Sequence, residues 1–97
     1  MRIFKVDSPL DAELKVLKVL SDYDADCAVK LVDSAYDDTS ELLWFAVSSR
    51  FDESLKIFFV DSPYDCDIKI KFVDSLYDVR WINEDKKHLL KNNSPNV

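Results

Sequence analysis

Glycine is absent from the chain. Gly normally supplies the positive φ of type I′ and II′ hairpin turns. The turns here must therefore use right-handed backbone, as type I turns or single helical turns, with Asp and Asn as the nearest substitutes. The same absence removes any Gly-rich phosphate loop. Cysteine is scarce: Cys27 and Cys66 form no CxxC and no disulfide framework. Both lie near strand-like segments, so buried free thiols in a reducing, cytoplasmic compartment are expected. Long apolar runs are missing too. None approaches the roughly 18 residues that span a bilayer, and Lys5 and Asp7 interrupt the opening Met1-Arg2-Ile3-Phe4-Lys5-Val6-Asp7, which leaves no signal-peptide core. Positive charge is short, with 13 Lys and Arg against 19 Asp and Glu, a net charge of −6. That balance argues against nucleic acid and against an anionic membrane as partners.

What the chain has instead is a pattern. Six tetrads of the form Ser-x-aromatic-Asp recur: Ser8-Pro9-Leu10-Asp11, Ser21-Asp22-Tyr23-Asp24, Ser34-Ala35-Tyr36-Asp37, Ser49-Arg50-Phe51-Asp52, Ser62-Pro63-Tyr64-Asp65 and Ser75-Leu76-Tyr77-Asp78. Their serines are spaced by 13, 13, 15, 13 and 13 residues, a series symmetric about its middle. This reads as two pseudo-symmetric halves, about 3–41 and 42–85, joined near Glu41–Ala46. Each tetrad is a relative of the capping box. The Ser hydroxyl accepts from a backbone N–H two or three residues on, and the Asp carboxylate reaches back toward the Ser N–H. Pro9 and Pro63 fall where a first helical residue has no use for its N–H. One short helical turn per repeat follows, its cap worth roughly 1 kcal/mol.

Between the tetrads lie segments with strand character: Arg2–Val6, Leu14–Val19, Cys27–Val32, Leu42–Val47, Leu55–Val60, Ile68–Val73 and Val79–Ile82. Ile68-Lys69-Ile70-Lys71 alternates as a half-buried strand does. Leu42-Leu43-Trp44-Phe45-Ala46-Val47 is apolar throughout and predicts a central strand covered on both sides. The expectation is a mainly β, compact single domain over residues 1–90, a barrel or sandwich of about seven short strands joined by capped turns. Residues 91–97 read as a flexible tail.

Few residues carry chemistry. Asp22, Asp24 and Asp26 alternate as the start of a calcium loop would, and Asp65 with Asp67 repeats the spacing. The Gly and distal Glu of an EF-hand are missing, so capping is the preferred account of these carboxylates. His88 is the lone histidine and reads as a surface residue. One histidine among six equivalent serines selects no nucleophile. Nothing marks Cys66 as an activated thiol. Two cysteines and one histidine do not form a zinc set. Tyr23, Tyr36, Tyr64, Tyr77 and Phe51 share one column. Packing of each ring over its own turn is expected ahead of a binding stripe. Trp44 and Trp81 are expected inside. Exposed strand edges could accept a partner strand, and the acidic turns could attract a basic protein.

Val60-Asp61-Ser62-Pro63-Tyr64-Asp65-Cys66-Asp67-Ile68-Lys69-Ile70 and Lys71-Phe72-Val73-Asp74-Ser75-Leu76-Tyr77 resemble the septoil-knot domain family, which carries repeated V-D-S-x-Y-x-A-D-[LV]-K-V units. Asp24-Ala25-Asp26, Trp81 and Lys86-Lys87-His88-Leu89 are similar to its other marks. The likeness runs from about Ile3 to Leu90. Thr39-Ser40, Glu53-Ser54 and Leu10 depart from it. The resemblance implies a bacterial, β-rich domain whose backbone forms a seven-crossing torus knot, against the usual rule for protein chains. It carries over no activity and no functional residue. The expected function is a non-enzymatic structural or protein-interaction module with no cofactor. A calcium-stabilised binding module is the alternative, and an enzyme the least favoured reading.

Overall fold

The computed structural model of the chain describes residues 1–34, 40–48 and 54–90. Seven strands form there: β1 Arg2–Lys5, β2 Leu14–Lys18, β3 Cys27–Leu31, β4 Leu43–Ala46, β5 Leu55–Val60, β6 Ile68–Val73 and β7 Arg80–Trp81. Each falls within a segment expected from the pattern of β-branched and apolar residues. Short 3-10 turns occur at Pro9–Asp11 and Leu76–Asp78, and a longer 3-10 segment at Glu84–Leu90. The chain is thus mainly β and forms one domain. Among the described residues no helix is long and apolar enough to cross a membrane. The tail expected over 91–97 and the tetrad Ser49–Asp52 lie outside the described residues, as do Ala35, Tyr36 and Asp37 of the third tetrad.

The strands make one sheet in the order β4-β1-β5-β2-β6-β3-β7, with an added pairing of β4 to β3. Pairings among β1 to β6 are all parallel, and β7 alone runs antiparallel, against β3. β6 takes one edge of β3. β7 and β4 share the other, β7 at Cys27 and Ala28 and β4 at Lys30 and Leu31. The sheet therefore closes on itself. Around this ring each successive strand of the chain stands two places beyond the one before.

Parallel neighbours usually need a crossover of a dozen or more residues, most often a helix. Here eight residues, 6–13, link β1 to β2. They manage it by stepping over one strand. The Val6 N–H donates to the Ile57 carbonyl at 2.9 Å and the Glu13 N–H to the Lys56 carbonyl at 2.8 Å. Both acceptors are on β5, whose two edges are taken by β1 and β2. The next connection crosses β6 in the same manner, from Val19 on Ile70 to Asp26 on Lys69, at 2.9 and 2.7 Å.

The tetrads shape these crossings. Ser8 Oγ accepts from the Leu10 N–H, and Ser21, Ser62 and Ser75 do the same for Tyr23, Tyr64 and Tyr77 at 3.1–3.2 Å. The N–H groups of Asp11, Asp24, Asp65 and Asp78 close each turn on the serine carbonyl. The carboxylates of these four aspartates make no hydrogen bond to the serine N–H, contrary to expectation. Their contribution to the turn is main-chain. Ser40 and Asn83 build the same turn outside the tetrads, accepting from Leu42 and Asp85. Among the described residues no φ is positive, as a chain without glycine requires.

Alternate residues of the strands fill the ring: Ile3, Leu14, Val16, Cys27, Val29, Trp44, Ile57, Ile68 and Ile70 are all buried. Trp44 is fully enclosed and meets the edge of Phe72 at 5.8 Å between centroids, a favoured aromatic geometry. Its indole N–H donates to the Glu41 carbonyl. The expectation of a strand covered on both sides fails for β4. Leu43 and Phe45, on the face opposite Trp44, are only half-buried, because a strand of a closed single-layered ring has only one face to bury. No charged or polar residue is buried among the described residues.

Candidate functional site

Three carboxylates reach across the sheet where the sequence suggested only caps. Asp26 Oδ2 accepts from the Lys69 N–H and Asp67 Oδ2 from the Lys15 N–H, each at 2.8 Å, and Glu13 Oε1 accepts from the Lys56 N–H at 3.0 Å. The N–H of each acid meanwhile donates to the carbonyl of that same lysine. Each acid so grips one residue of the crossed strand twice. The signal was visible as an acid at the sixth position counted from Ser8, Ser21 and Ser62.

Asp22, Asp24 and Asp26 are directed apart. Asp22 bridges Lys71 at 3.0 Å and Arg80 at 3.2 Å, and its carboxyl is held below the usual range chiefly by the Lys71 hydrogen bond. Asp26 is occupied by Lys69 and by Asn83 Nδ2, at 3.2 Å. Asp24 is exposed. Among the described residues no three acidic, histidine or cysteine side chains gather in a metal-holding group.

Cys27 is fully buried, and burial, reinforced by the charges of Asp26 and Glu41, pushes its thiol up to about 12. Such a thiol is inert near neutral pH. Cys66, expected to be buried, is half-buried in a turn ahead of β6, its Sγ 3.4 Å from the Pro63 carbonyl. His88 is exposed on the Glu84–Leu90 segment. Trp81 is half-buried rather than interior, and its indole N–H donates to Glu41 Oε1 at 2.9 Å. Open strand edges for a partner strand are lost to ring closure. Only β7, two residues long, sits at the end of the sheet with a side unpaired among the described residues.

The clearest correction concerns the aromatic column. Tyr23, Tyr64 and Tyr77 are 99%, 94% and 99% exposed, and Leu10 is 94% exposed. Tyr36 and Phe51 lie outside the described residues. The rings do not pack over their turns, because each turn already lies on the outer side of the strand it crosses and its third residue points away from that strand. Rigid turns thus hold apolar side chains in water.

The two mouths of the ring differ. Leu90 is fully buried against the core at the amino-terminal ends of the strands, with Leu89, Trp81 and Met1 packed alongside. At the carboxyl-terminal ends the inner-face positions, two residues beyond the last buried ones, are Lys5, Lys18, Leu31, Ala46, Phe59 and Phe72. Leu31 is 52% exposed. Lys5 and Lys18 place their ammonium groups 5.8 and 5.7 Å from the Phe59 centroid, and Lys18 lies 5.9 Å from that of Phe72. Sequence reasoning missed this group, although lysines in phase with Ile3 and Val16 were its trace.

Neither the curated proteins nor the solved structures give a match to the chain. The family model described as the 7(1) septoil knot domain matches residues 1–82. That span takes in the whole ring from β1 to β7, with its short crossings and serine-capped turns, and the chain belongs to the septoil knot domain family.

Proposed function

We propose that this domain is a non-enzymatic structural or protein-interaction module, built from six turn-and-strand repeats on a knotted backbone. The exposed turn residues carry the functional part of the reading. The serines of the described tetrads are consumed by the fold as caps, and Glu13, Asp26 and Asp67, which follow three of the turns, are clamped on neighbouring strands. The tyrosines of the same turns are left at least 94% exposed on described residues. Tyr supplies large contact area at low entropic cost and is enriched in binding hot spots. Capped turns present it already ordered, which lowers the cost of association.

The strand order supports the knotted reading. A path that advances two places at each step around seven places winds twice before it meets its start. Where every passage goes to the same side of the strand it crosses, such a path has seven crossings. Among the described turns, the exposure of Asp7, Pro9, Leu10 and Asp11 over β5 supports passage on the outside. The family description supports the same reading.

The test is affinity capture from the source organism's lysate with the wild-type domain and with Tyr23→Ser/Tyr64→Ser/Tyr77→Ser, each with calcium and with chelator. A partner held by the wild type and lost by the variant in both arms supports interaction through the turns. Equal capture by both proteins refutes it. Capture that requires calcium would favour the calcium-stabilised alternative, since Asp24 alone of the three alternating carboxylates has no protein partner among the described residues.

A further inference from the structure

We propose that the open mouth of the ring is a binding site for a small organic anion, a carboxylate carried on an aromatic or other apolar body. The claim is independent of the turn-borne interaction above and concerns different residues. Its first support is the contrast between the two mouths. Inner-face residues toward the amino-terminal ends of the strands, Leu14, Cys27 and Ile68, are no more than 2% exposed. At the opposite end Leu31 is 52% exposed on the same face of β3 as buried Cys27 and Val29, and Ala46 is exposed beyond buried Trp44. An apolar floor is open to water there, and Phe59 and Phe72 form its half-buried side.

The second support is charge. Lys5 and Lys18 converge on one ring, that of Phe59, at 5.8 and 5.7 Å. The two ammonium groups come from the strands that flank β5, and the ring quadrupole attracts each only weakly at an exposed site. Among the described residues neither ammonium has a carboxylate partner within ion-pair distance. Asp7 and Asp61 leave the strands at the same end and are exposed without pairing to either lysine. An anion at this mouth supplies the acceptor that both ammonium groups lack. Its apolar body would cover Leu31, Ala46 and the edge of Phe72. Lys rather than Arg at both positions suits a compact charge on one ligand group more than a planar fork.

The experiment uses benzoate as the probe, with benzyl alcohol as its uncharged analogue and inorganic phosphate as an anion without an apolar body. Shifts of the Phe59 and Phe72 ring signals and of the Lys5 and Lys18 ε-methylenes follow the titration. Benzoate is expected to move these signals saturably, and to lose at least about tenfold in affinity in Lys5→Gln/Lys18→Gln. The control Lys15→Gln/Lys56→Gln, with the same charge change on outward-facing residues, should stay within about twofold of wild type. Benzyl alcohol and phosphate should each bind at least about tenfold more weakly than benzoate. Lys5→Arg/Lys18→Arg retains the charge and should restore most of the binding, which separates site loss from misfolding. No shift at about 20 mM benzoate, in the range of the weakest specific sites, overturns the proposal. So does equal loss in both glutamine pairs, or phosphate binding as tightly as benzoate.

Discussion

Replacing Asp26 by alanine tests whether the strand-gripping carboxylates hold the ring together. Asp26 is half-buried. Its carboxylate accepts from the Lys69 N–H at 2.8 Å and from Asn83 Nδ2 at 3.2 Å. Its main chain donates to Lys69 and accepts from Ile82 and Asn83. Alanine keeps the main-chain bonds and deletes both side-chain bonds. Hydrogen bonds to a charged group contribute about 1.5–3 kcal/mol each, and the longer, more exposed Asn83 bond belongs at or below the bottom of that range. The expected loss is about 2–4 kcal/mol. A domain of this size has about 5–15 kcal/mol in all, so the change removes a large fraction of it. In urea, with a slope of about 1–1.5 kcal/mol/M, the midpoint should fall by roughly 2 M. Tryptophan fluorescence reports it, since Trp44 is enclosed by the core and Trp81 lies beside the substituted strand. Asp24→Ala, two residues away, is the matched control. Its carboxylate is exposed without a partner, so the change should stay within about 0.5 kcal/mol. Glu13→Ala and Asp67→Ala each delete one exposed bond and should cost about 1 kcal/mol. If Asp26→Ala and Asp24→Ala unfold at the same urea concentration, the grip contributes nothing and the reasoning is wrong.

Trp44→Ala should cost about 3–5 kcal/mol by calorimetry or urea titration, since the ring is fully enclosed and its loss leaves a cavity beside Phe72. Cys27 predicts an alkaline limit. Its thiol ionises near 12 in the fold against an ordinary value of 9.0, so above pH 9 the unfolded state releases the proton first. The stability linked to this thiol is complete below pH 9 and declines as pH rises toward 12, by up to about 4 kcal/mol. Cys27→Ala should flatten that decline when its urea midpoints are compared with wild type across the window. Tyr23→Ser, Tyr64→Ser and Tyr77→Ser should each move stability by less than about 0.5 kcal/mol, because exposed rings bury almost nothing on folding; a loss of 2 kcal/mol in any of them would place that ring against the fold. For a knotted backbone the last segment must withdraw before the ring opens. Trp81→Phe deletes the hydrogen bond to Glu41, and stopped-flow unfolding should accelerate more than refolding slows.

The strands were legible because their local chemistry is consistent. Alternation marked β6, and the serine tetrads marked where β1, β2, β5 and β6 end. The order of the strands was not legible, because it is set by contacts between residues far apart in the chain. Glu13 grips Lys56, 43 residues on, and Asp67 grips Lys15, 52 residues back. No pairing rule based on adjacent segments anticipates such register. The tyrosines misled for a physical reason. Ring size argues for burial only if the turn faces the core, and these turns ride over the outside of a strand. β4 misled similarly, its apolar run suggesting two covered faces where the closed ring offers one. The lysines of the open mouth followed the alternation of the buried residues, yet charge at an inner-face position reads as the end of a strand until the ring geometry shows a mouth there.

Short parallel crossovers leave a difficulty that helices solve elsewhere: nothing fixes the point at which the chain rejoins the sheet. In this chain two devices share that task. The serine cap sets the shape of the turn, and the acid that follows grips the crossed strand by both its N–H and its carboxylate, which fixes the register to one residue. The last crossing supplies the contrast. Arg80 stands at the position that Glu13, Asp26 and Asp67 occupy after their serines, although Ser75 still caps its turn. A guanidinium cannot accept a backbone N–H. β7 is then only two residues long and turns antiparallel to β3, and the N–H groups of Ile82 and Asn83 go instead to the Asp26 carbonyl. The cap alone makes the turn, and at Glu13, Asp26 and Asp67 an acid accompanies the parallel re-entry, while β5 re-enters parallel after Ser54. After β7 the chain leaves the ring and folds back as the Glu84–Leu90 segment that closes the mouth with Leu90.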